Sequence, residues 1–108
     1  MNLQTEIFGD VIVVHAPEQL ETDHCDRFES FAASLDRSRV VLDLNATRTL
    51  DSRGLETLLN VHDKLRGAAG AMKIATSDAT NQKILEITRL DQQLEVFDSV
   101  VEAVKSFR

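Results

Sequence analysis

In Asp51-Ser52-Arg53-Gly54, residue type and place together could do chemistry. An extended apolar run, Val40 to Leu44, precedes it, and Leu55, Leu58, Leu59, His62 and Leu65 follow at helical spacing. That pattern predicts a strand, a short polar connection over Asn45–Thr49, and a helix packing back on the strand. Ser52 then stands at or beside the first helical position. Backbone N–H groups without intrahelical partners and the positive end of the helix dipole converge there, so the position suits an added anion. A serine at a helix start is also a common structural feature, and position alone favours that reading. Asp51 is predicted to cap the helix.

Other reactive residue types are scattered. Asp43, at the end of the central strand, invites comparison with the phosphoacceptor of a receiver domain. Receivers need an acidic pair after their first strand, and Ile7-Phe8-Gly9-Asp10 offers one acid; they also need a late lysine, which Phe97-Asp98-Ser99 does not supply. Asp43 is therefore read as a structural polar residue. His24 and Cys25 are adjacent, about 100° apart on a helix, and so are poorly placed to share a metal. His62 falls on an apolar stripe and reads as a partly buried core histidine, and Cys25 reads as core. There is no phosphate-binding glycine loop, dinucleotide fingerprint or nucleophile elbow. No catalytic residue, cofactor or metal is expected, and the chain is not read as an enzyme.

The remaining elements position this stretch. Leu3, Thr5 and Ile7 alternate with polar residues, as in a strand with one wet face near a sheet edge. Gly9-Asp10 turns the chain into a second strand, Val11–His15, making an antiparallel hairpin. Ala16 to Thr22 is a loop, and Thr22 or Asp23 caps a helix whose buried face is Cys25, Phe28, Phe31, Ala32 and Leu35. After the Ser52 helix, Gly67–Gly70 turns into a strand over Ala71–Thr76. Ser77 caps a short helix bearing Ile84, Leu85 and Ile87; Leu94–Phe97 is a last strand. Ser99 and Glu102 have capping-box spacing ahead of a helix with Val100, Val101, Val104 and Phe107 on one face. The order β-β-α-β-α-β-α-β-α predicts an α/β fold, a mixed four- to five-stranded sheet with helices mainly on one side.

Composition narrows the partners. The chain has 108 residues, 43% of them hydrophobic, enough for one domain over 1–108 with a single core. Its formal net charge is −6 without a basic cluster, which argues against nucleic acid and anionic membrane surfaces. No run is long and apolar enough for membrane insertion. The lone Cys25 and a start without signal-peptide character suit the cytoplasm.

DLNATRTLDSRGLETLL, from Asp43 to Leu59, resembles the signature of STAS domains, the fold of bacterial anti-sigma factor antagonists. The later segments MKIAT, NQKILEITRLDQQLEVFDS and VVEAV follow in the family's order, so the resemblance covers nearly the whole chain. It implies the STAS fold, with an unphosphorylated form that binds an anti-sigma factor also acting as a serine kinase. It implies phosphorylation at Ser52 to end that binding and a serine phosphatase to restore it, with ATP held by the partner. A monomer is the expected state. Glu21 lies where the family has an acidic residue that helps position the phosphorylation site, and Asp51 joins the partner-facing patch. Gly54, lacking a side chain, would let the partner's nucleotide pocket approach. Arg53 replaces a small residue common in antagonists, and is read as solvated or as a partner for phosphate on Ser52. Two further departures are Ala16-Pro17-Glu18-Gln19, in place of a small-Gly-Glu-Leu pattern, and Thr88-Arg89, in place of a small residue followed by Gly. Two rival functions are a non-switching STAS scaffold subunit of a transport or sensory complex, and a receiver-like phospho-relay domain.

Overall fold

A computed structural model describes residues 1–107. Its five-stranded sheet has the order β1-β2-β4-β6-β7, where β1 is Thr5–Phe8, β2 Val11–His15, β4 Arg39–Asp43, β6 Ala71–Ala75 and β7 Val96–Phe97. β1 pairs antiparallel with β2 through a turn in which Gly9 has φ 65°; every other pair is parallel. Helices α1 (Thr22–Ala33), α2 (Ser52–Gly67) and α3 (Ala79–Ile87) connect the parallel strands, and α4 (Val100–Lys105) ends the chain's regular structure.

The central strands are apolar on both faces because both are covered. Ile12, Val14, Val40, Leu42, Met72 and Ile74 join Phe28, Leu58 and Leu85 in the main core. The alternate residues Val11, Val13, Val41 and Ala75 pack with Ala103 and Val104 of α4 in a smaller one. Three helices therefore serve one core and α4 the other, which matches the expected mixed sheet. Lys73 shares the α4 side. Its Nζ lies 3.0 Å from Glu95, donates to Ser106 Oγ at 2.8 Å, and sits 4.2 Å from the Phe107 ring centroid, so its charge is well compensated despite burial.

Several sequence expectations need correction. None of the residues of β1 is buried, so this edge strand is wet on both faces. The cap of α1 is Glu21, since the helix already includes Thr22; Asp78, not Ser77, caps α3 by accepting from Thr80 N at 3.0 Å. Ser77 instead donates to Asn45 Oδ1. Ile87 and Val101 are 69% and 61% exposed, and Ala103 takes the buried place expected of Val101. On α2, Val61 is buried where Leu59 was expected, and Leu59 is only partly covered. A turn of 3-10 helix, Leu90–Gln92, follows α3 and tucks Leu90 into the core.

Candidate functional site

The loop predicted over Ala16–Thr22 contains a strand, β3 (Gln19–Leu20), paired in parallel with β5 (Thr49–Leu50). This two-stranded ribbon lies just before α1 and just before α2, so it brings the two helix starts together. Arg48 N adds a bond to Glu18 O at 2.7 Å. Thr47, fully buried, donates its hydroxyl to Pro17 O at 2.8 Å.

Asp51 is the centre of the site. Its Oδ1 accepts from Gly54 N at 2.8 Å, the expected cap of α2. Its Oδ2 accepts from both Thr22 N and Thr22 Oγ1, at 3.0 and 3.1 Å. One carboxylate thus serves the starts of two helices. The Gly54 amide, with lesser help from Thr22, favours the ionised form and lowers the Asp51 pKa below its ordinary 3.8. Glu21 accepts from Thr49 Oγ1 at 2.7 Å, a second tie between the ribbon and α1.

Ser52 is exposed at the first position of α2, and its hydroxyl takes no part in this network. Arg53 is not free in water: its Nη2 lies 3.0 Å from Asp26 of α1, an exposed pair joining the two helices. Gly54 is buried, contrary to the expectation of an open approach. A Cβ there would lie 2.1 Å from Leu20 O, so the missing side chain admits β3 and not a partner. The structure thus brings Glu21, Asp51, Ser52, Arg53 and Gly54 to one end of the helix pair, with Ser52 and Arg53 on its surface. Sequence reasoning placed Thr22 only as a cap candidate for α1, not as a partner of Asp51, and missed Thr49 and Asp26. Their signal was weak, since each acts through a partner 27 to 29 residues away.

Asp43 belongs to a separate polar cluster. Its Oδ2 meets His15 Nδ1 at 2.8 Å, while His15 Nε2 meets Glu6 at 2.7 Å. Burial alone would lower the His15 pKa, but hydrogen bonds to Glu6 and Asp43 and their charges outweigh it and raise the value. Asp43 Oδ1 also accepts from Asn45 N at 2.9 Å, as fits a structural residue at a strand end. His62 is buried and its Nδ1 accepts from Met72 N at 3.1 Å; burial, then the charge of Arg66, lowers its pKa. Among the described residues no three His, Cys, Asp or Glu side chains are placed to hold a metal, and no helix is long and apolar enough to cross a membrane.

A mixed sheet with this strand order, and a helix opening on Asp51-Ser52-Arg53-Gly54, define the class. Residues 2–103 match the STAS domain family, and the chain belongs to it. A Thermotoga maritima protein provisionally named an anti-sigma factor antagonist is 21% identical over 107 residues, 95% of each chain. The crystal structure of an anti-sigma factor antagonist from Mycobacterium paratuberculosis has a TM-score of 0.85 at 19% identity, covering 97% of this chain and 92% of that one. The Bacillus cell fate determinant SpoIIAA in its phosphorylated form has a TM-score of 0.72 at 15% identity, covering 99% and 100%.

Proposed function

We propose that this chain is an anti-sigma factor antagonist, a cytoplasmic protein-binding switch that sequesters an anti-sigma factor/serine kinase until Ser52 is phosphorylated. The observation that carries this reading is the exposed Ser52 at a helix start whose neighbours are all fastened to one another. The names of its relatives and the existence of a phosphorylated structural relative support it. The chain is substrate rather than enzyme; the partner holds ATP, and a serine phosphatase resets the switch.

Phosphate adds roughly −1.5 to −2 charges beside Asp51, and a partner surface shaped for a hydroxyl would have to bury them. The domain itself stays folded, because the start of α2 offsets part of that charge. Arg53 is the nearest cation in sequence, and phosphate competes with Asp26 for it.

Binding to the cognate anti-sigma factor tests the reading. Ser52→Ala retains wild-type affinity and accepts no phosphate, while Ser52→Asp weakens binding with an unchanged circular dichroism spectrum. Equal binding by both variants would instead indicate a non-switching scaffold subunit.

A further inference from the structure

Away from Ser52, a polar row crosses the sheet where β2 and β4 end. Val13 of β2 packs with α4, and His15, two residues on, points to the same face. His15 pairs directly with Asp43 of β4 and lies diagonal to Glu6 of β1, whose own partner is Val13. The three side chains meet. His15 Nδ1 is 2.8 Å from Asp43 Oδ2, and His15 Nε2 is 2.7 Å from Glu6 Oε1. Helix α4 covers this face too, but its charged residues, Glu102 and Lys105, are exposed and neither pairs with His15. Among the described residues, the ionisable groups that face His15 are therefore Glu6 from β1 and Asp43 from β4.

An ionised carboxylate only accepts hydrogen bonds, and a neutral imidazole has a single N–H to give. A ring that serves Glu6 and Asp43 together therefore carries both protons. When it loses one, the two carboxylates compete for the N–H that is left. Asp43 keeps it: its side chain is 14% exposed against 55% for Glu6, and Asn45 N holds its other oxygen at 2.9 Å. The lone pair on Nε2 then faces the Glu6 carboxylate, and that contact turns repulsive.

Little else holds that end of β1. All of its residues are exposed, and Glu6–His15 is its one side-chain hydrogen bond among the described residues. Leu3, just before it, is only partly buried. The turn end of the hairpin is anchored separately, by Asp10 to Arg39 at 2.9 Å. We propose that His15 is a pH-sensitive clasp on the edge strand: as an imidazolium it joins Glu6 to Asp43 across three strands, and on losing its proton it frees Glu6 and loosens the Thr5 end of β1. Burial works against the charged ring, but the bonds and charges of Glu6 and Asp43 outweigh it and raise the His15 pKa above its ordinary 6.5. The clasp is therefore closed between the carboxylate range and pH 6.5, and opens as pH rises through the higher folded value. It does not depend on phosphorylation of Ser52.

Amide hydrogen exchange on the full chain, corrected for its intrinsic pH dependence, tests this beside an NMR titration of the histidine rings. The reporter is His15 N–H, which donates to Gln4 O at 3.0 Å just beyond the Thr5 end. The control is Ile74 N–H, which donates to Glu95 O at 2.9 Å on the far side of the sheet. The His15 ring should titrate above 6.5, and over that titration the reporter should lose protection by roughly threefold or more while the control holds. Glu6→Gln, at an exposed position, abolishes this response and lowers the His15 midpoint, because an amide accepts from the imidazolium and donates to the neutral ring. That variant leaves His24, His62 and the N-terminus intact, so a response that survives it belongs to them. A His15 midpoint at or below 6.5, reporter protection unchanged through the titration, or a full response in Glu6→Gln would overturn the proposal.

Discussion

At their N-terminal ends α1 and α2 are tied by Asp51, whose carboxylate serves the N–H groups of both Thr22 and Gly54; toward their C-terminal ends they part around a groove walled by alanines. The tied end has little spare volume: Gly54 sits so close to Leu20 that a single methyl would collide. The other end has unused volume. The difference teaches where this molecule invests its order. The end that carries the exposed Ser52 is braced by short hydrogen bonds, while the far end of the same helices is packed loosely.

The largest expected effect comes from removing the core beneath both ends. Leu58 is fully buried in the main core, and Leu58→Ala costs about 2–5 kcal/mol by denaturant titration. A loss below half a kcal/mol would mean that α2 is rotated from the face described here. Next comes overfilling the tied end. Gly54→Ala costs about 1–3 kcal/mol, because the obstacle is the Leu20 carbonyl and not a flexible side chain.

Acid separates the two ends without mutation. The Asp51 pKa is lowered, so its contribution to stability is complete above the ordinary value of 3.8 and is lost as pH falls through the lower folded value. Amide protection at Thr22 and Gly54 should fall as the pH drops below 3.8, before that of Val61, with pH-corrected hydrogen exchange as the readout. The smallest effect is the mirror of Gly54→Ala. Ala33→Leu adds bulk at the groove's exposed wall and should change stability by no more than about 0.5 kcal/mol. A large loss there would erase the contrast between tight and open ends.

Much of the fold was legible because long periods carry it. The strand Val40–Leu44 and the helix after Asp51 announce themselves through burial on two faces or one, and Ser99 caps α4 through Glu102 N as its spacing implies. The β3–β5 ribbon was not legible, since two-residue strands are too short to show alternation. Gly54 was misread for a related reason: a missing side chain looks the same whether it admits a partner or the chain's own backbone. Val101 was misplaced because the six residues of α4 hold less than two turns of pattern. The resemblance did flag Arg89, and the structure explains why. Its φ is 61°, a left-handed conformation that glycine adopts without strain.

Phosphate mapping tests the central claim most directly. The wild-type chain and Ser52→Ala are incubated with the cognate anti-sigma kinase and ATP, then digested and examined by mass spectrometry. A single phosphate on Ser52 in the wild type, and none on the variant, is the predicted result. Phosphate on another residue, or a wild type that binds its partner tightly and accepts none, would contradict it.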